Sequence, residues 1–68
     1  MLNIRRDTII KQGDILVSPD EKSKLKVKEM VGFKIYVFDP ATNQEKVVLK
    51  NNLLINNWKI IINNRGYW

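Results

Sequence analysis

The sequence predicts an all-β fold, a small five-stranded barrel with one short helical turn before the last strand. Three observations predict it. Apolar residues recur with a period of two in several short runs, as they do in strands with one buried face. Gly, Pro, Asn and Asp punctuate the chain between those runs, where turns need them. The one segment with a helical reading, residues 51–57, is too short and too rich in Asn for more than a single turn.

Residues 33–50, FKIYVFD-PATNQ-EKVVLK, read as a long β-hairpin around which the rest is organised. Phe33, Ile35 and Val37 alternate with Lys34, Tyr36 and Phe38, and the second arm alternates through Lys46, Val47, Val48, Leu49 and Lys50. With Asp39 facing Glu45, Val37 pairs with Val47, Ile35 with Leu49, Tyr36 with Val48, Phe38 with Lys46 and Lys34 with Lys50. One face is then wholly apolar: Phe33, Ile35, Val37, Val47 and Leu49. A slip of one residue sets Val37 against Lys46 and Phe33 against Lys50, exchanging the faces of a whole strand, so the aligned register is the expectation.

The remaining elements follow in order. Residues 1–11 form an N-terminal arm in which Leu2, Ile4, Ile9 and Ile10 surround the polar group Arg5-Arg6-Asp7-Thr8. Gln12-Gly13-Asp14 turns into a first strand, Ile15-Leu16-Val17-Ser18, which Pro19 ends. The second strand covers residues 24–31, with Leu25 and Val27 on one side and Lys24, Lys26 and Lys28 on the other. Its alternation breaks at Glu29-Met30, where a bulge returns Met30 or Val31 to the core. Gly32 connects it tightly to the hairpin. After the hairpin, a turn capped by Asn carries Leu54 onto Trp58, and in a last strand over residues 58–63 Trp58, Ile60 and Ile62 share a face. Ile61 points away from it and needs cover of its own. Residues 12–63 are thus one barrel domain, and residues 64–68 a tail ending in Tyr67 and Trp68.

This strand order, with its single turn before the last strand, resembles that of SH3-like small barrels. Lys11-Gln12-Gly13-Asp14-Ile15-Leu16-Val17 also resembles the Gly-Asp-x-hydrophobic opening of KOW-type domains. The loop over residues 18–23 lacks the further glycine that a KOW motif carries.

Composition narrows the chemistry. The chain has neither His nor Cys, so Ser-His, Cys-His and His-ligated metal sites cannot be assembled within it. Its seven carboxylates are scattered through turns, and its three glycines are isolated, so no phosphate-binding loop is present. The expectation is a non-enzyme without cofactor, metal or small-molecule substrate. The longest apolar runs, Leu53-Leu54-Ile55 and Ile60-Ile61-Ile62, fall far short of the ~20 residues of a membrane span. Met1 is followed by no signal-peptide core, and a cytoplasmic protein is expected. Abundant Lys, Ile and Asn fit an AT-rich genome, as of a low-GC bacterium or phage, which accounts for part of the net charge of +5.

Two functions stay open. In the first, Lys34, Tyr36, Phe38, Lys46 and Lys50 form a basic-aromatic hairpin face that binds nucleic acid, with help from Lys24, Lys26 and Lys28. In the second, the domain is a protein-interaction or self-associating module using the same aromatics, Ile61, or Tyr67 and Trp68. Lysines on an edge strand also serve simply to block aggregation.

Overall fold

The computed structural model describes residues 2–63. Six strands and one helix follow in chain order: β1 (Leu2–Asn3), β2 (Ile15–Val17), β3 (Lys24–Val31), β4 (Lys34–Asp39), β5 (Gln44–Leu49), α1 (Lys50–Ile55) and β6 (Lys59–Ile61). The strands form one antiparallel sheet in the order β1-β6-β2-β3-β4-β5. This corrects the expected closed five-stranded barrel. The arm supplies a sixth strand that extends the sheet beyond β6, and β5 stays an edge among the described residues.

The concave side of the sheet holds the core. Leu16, Val27, Ile35, Val37 and Ile60 are almost fully buried, and Leu25 joins them. Ile4 and Ile10 of the arm and Leu53 of α1 complete this core. A six-residue helix has no stability of its own. Burial of Leu53 contributes roughly 2 kcal/mol, which holds the helix on the sheet. The expected Asn cap is absent: Leu49 stands at the N-cap and makes no side-chain bond. The helix is secured at its other end, where Asn57 takes a left-handed φ of 60°. There the Asn57 N–H donates to Leu54 O at 3.3 Å and the Trp58 N–H to Leu53 O at 3.0 Å. This is a Schellman closure, and it returns Trp58 to the core.

The expected break in β3 is present. The register shifts between Val27 and Glu29, so Lys28 is the extra residue, and Met30 returns to pack on the core. Val31 does not; it is 54% exposed. The last strand is shorter than expected, and Ile62 lies beyond it, partly exposed.

The hairpin register differs from the expected one by a single residue. Lys34 pairs with Leu49, Ile35 with Val48, Tyr36 with Val47, Val37 with Lys46, Phe38 with Glu45 and Asp39 with Gln44. The loops at both ends explain it. Val31 pairs with Lys34, so Gly32 and Phe33 form a two-residue turn, with Gly32 at φ 59°. Phe33 is therefore a turn residue, 77% exposed, and not part of an apolar face. At the other end Asp39 Oδ1 accepts the Ala41 N–H at 3.0 Å, and Asn43 adopts a φ of 56°. These close a four-residue loop at Gln44, where the expected pairing needs five. Val47 and Leu49 consequently turn outward, and Val48 and Lys46 take their places inside.

A buried carboxylate ties Lys11 to Asn63, far apart in the chain. Asp14 is fully buried. Its Oδ2 accepts the Lys11 N–H at 3.0 Å and its Oδ1 the Asn63 N–H at 3.1 Å. Asn63 also donates through Nδ2 to Gly13 O at 3.2 Å. The Gly-Asp opening thus serves as a clasp between the arm, β2 and the end of β6.

Candidate functional site

Directly opposed residues in an antiparallel sheet share a face, so the registers define the convex surface row by row. Three rows cross β3, β4 and β5: Val31-Lys34-Leu49, Glu29-Tyr36-Val47 and Lys26-Phe38-Glu45. Tyr36 is 38% exposed, Val47 53% and Leu49 43%, whereas Phe38 is half-buried. With Val31 and Phe33 these form an apolar patch, and Val31, Phe33, Lys34, Tyr36 and Leu49 border a shallow hollow in it.

The slip redistributes the expected basic-aromatic cluster. Lys34, Tyr36, Phe38 and Lys26 share the convex face, but Lys46 and Lys50 do not. Lys46 stands on the other side of β5 and pairs with Asp39 at 3.3 Å. Lys50 begins α1, and its Nζ donates to Arg6 O at 2.9 Å and Thr8 O at 2.7 Å, tying the arm to the helix. Lys28, the bulge residue, forms an ion pair with Glu45. In these three rows Glu29 and Glu45 stand among Lys26 and Lys34, and the Glu45 carboxylate is taken up by Lys28.

Cations concentrate instead toward the other end of the same face. Lys59, Val17 and Lys24 form one row, and Ile61, Ile15, Lys26 and Phe38 the next. Ile61 thus turns from the core, as expected, and sits half-buried beside Ile15. Among the described residues Lys24, Lys26 and Lys59 make no ion pair. Val17 is fully buried although it lies outside the main core cluster. Lys24 and Lys59, directly opposite it on either side, are the neighbours whose stems can shield it. Reading Lys59 as the polar partner of Trp58 and Ile60 in the last strand would have found it in the sequence. Tyr67 and Trp68 lie outside the described residues.

Three carboxylates are held below their ordinary titration range. For Asp20 the cause is the Ser18 hydroxyl, helped by the Lys22 N–H. For Asp39 desolvation acts upward, but the Lys46 bond and charge and the Ala41 N–H outweigh it. For Glu45 it is the bond to Lys28 and then its charge. All three are in turns or ion pairs. Among the described residues no group of three His, Cys, Asp or Glu could hold a metal ion, and no helix is long and apolar enough to cross a membrane.

No protein-family model, curated protein or solved structure matches this chain.

Proposed function

We propose that this chain is a small non-enzymatic binding module that docks another polypeptide on the convex face of the β4–β5 hairpin. The observation that carries this reading is the company Tyr36 keeps. Val47 lies beside it and Leu49 beside Lys34, where Lys46 and Lys50 would have made the face cationic. Apolar and aromatic side chains with charges of both signs around them are the composition of a protein interface. The Gly13-Asp14 entry and the helix ahead of β6 support kinship with SH3-like small barrels, opened at the β5 edge. A benzophenone cross-linker at Phe33, compared with one at Lys22 in an exposed loop, tests the reading in the cell of origin. Protein adducts confined to position 33 and lost in a Val47→Lys/Leu49→Lys variant support it. Equal adducts at both positions, or none at 33, remove it.

One observation favours a second reading. Lys24, Lys26 and Lys59 lie together without carboxylate partners among the described residues, and Phe38 lies directly opposite Lys26. This suits a nucleic-acid backbone held by the lysines with a base against the half-buried Phe38 ring. Three phosphate contacts to a single strand give a log–log salt slope of about −2. Binding that ignores salt, or survives Lys24→Glu/Lys59→Glu, excludes this reading.

A further inference from the structure

The β5 edge carries the polypeptide reading further. The Lys50 N–H donates to Phe33 O at 3.2 Å, continuing the β4–β5 ladder by one rung. Hydrogen-bonded and non-bonded pairs alternate along an antiparallel ladder, so residues 46, 48 and 50 direct their backbone groups toward β4. Glu45, Val47 and Leu49 direct theirs outward. No described strand lies beyond β5 to receive them. The usual protections of an edge are also scarce: β5 contains no Pro, pairs with β4 without a bulge, and ends in Val47-Val48-Leu49 with one lysine before them.

Resting on the polypeptide reading above, we propose that the partner is a second copy of this chain, joined through antiparallel β5–β5 pairing with Val47 opposite Val47 on a two-fold axis. The edge is self-complementary in that register. Glu45 falls opposite Leu49 of the second copy, and every outward N–H and C=O of residues 45, 47 and 49 gains a partner. Lys46 falls opposite Val48 and not opposite another lysine. A shift by two residues in one direction opposes Lys46 to Lys46. A shift by two in the other direction leaves Glu45 without a strand partner, because residue 50 already belongs to α1. In the Val47 register the convex faces of the two copies are continuous, with a stripe running Tyr36-Val47-Val47-Tyr36 across the axis. Charge does not oppose the contact, since Gln44–Leu49 contains one cation and one anion. A two-fold axis normal to the sheet consumes both β5 edges, so this contact closes at two chains.

Sedimentation velocity of the purified full chain from micromolar to millimolar concentration tests this, with two variants. The expected result is a reversible dimer. Val47→Pro removes the donor at the axis without touching a β4 bond, and it should weaken the dimer about tenfold or more. Val47→Cys should form a disulfide-linked dimer on mild oxidation, because a hydrogen-bonded cross-strand pair sits ~5.5 Å apart at Cα, within disulfide reach. The chain has no other Cys, and Lys24→Cys on β3 serves as the control that should not cross-link. A monomer at every concentration overturns the second copy but leaves docking of a foreign polypeptide standing. That broader reading fails separately, if Val47→Lys/Leu49→Lys retains every cross-linked partner. A dimer that Val47→Cys links no faster than Lys24→Cys overturns the β5 register, whether or not Val47→Pro folds.

Discussion

Val37 lies directly opposite Lys46, one residue away from the register in which it would have faced Val47. Both strands keep their alternation, but the second is turned over. A valine and a leucine reach the convex face, and a lysine with Val48 enters the concave side. Lys46 is tolerated there because it sits near the loop, partly solvated and paired with Asp39.

This relationship gives opposite expectations for neighbouring valines. Val48→Lys, at a half-buried site packed on the core, should cost about 1–3 kcal/mol, and Val47→Lys about 0.5 kcal/mol or less. Urea unfolding of the two variants at a concentration where the chain is monomeric checks it. The reverse order would restore the Val37–Val47 register.

The Asp14 clasp should be expensive to lose. Asp14→Ala leaves the Lys11 and Asn63 N–H groups without their acceptor in a buried site, at a cost of about 3 kcal/mol or more. Unfolding by denaturant measures it. A loss below ~1 kcal/mol would mean that water replaces the carboxylate freely.

At Asn57 the backbone, not the side chain, is at stake. Asn57→Gly should match or slightly exceed the native stability, whereas Asn57→Ala should cost about 1 kcal/mol, because alanine resists the left-handed φ. Thermal unfolding should rank them Gly, Asn, Ala. Alanine equal to glycine would place the strain elsewhere.

Stability should fall in acid. Asp20, Asp39 and Glu45 each have a folded pKa below the unfolded value. Their contribution is complete above the unfolded values and is lost as the pH falls through the folded ones, below about pH 4. Glu45→Gln, which removes the charge paired with Lys28, should make the acid limb shallower. An unchanged limb in that variant would assign the acid loss to other groups.

The inward faces of β3, β4 and β6 were readable from alternation, whereas β1 lay in a stretch with no clean strand pattern. Leu25 and Val27 in β3, Ile35 and Val37 in β4, and Ile60 in β6 are all buried as their alternation predicts, because the face of a side chain within a strand depends only on position parity. The break in β3 was readable for the same reason. The convex surface was only half legible: Lys26, Lys34, Tyr36 and Phe38 lie on it together, while Lys46 and Lys50 had to be replaced by Val47 and Leu49. Their placement depends on which residue of β5 meets which residue of β4, and no periodicity within either strand contains that. Alternation in the sequence therefore determined β3, β4 and β6 and their inward faces, but neither β1 nor the faces of β5. Tertiary structure decided the β5 register and the open edge, because the Asp39–Ala41 bond, the left-handed Asn43 and the Lys50 contacts to the arm fix how the second strand is laid against the first.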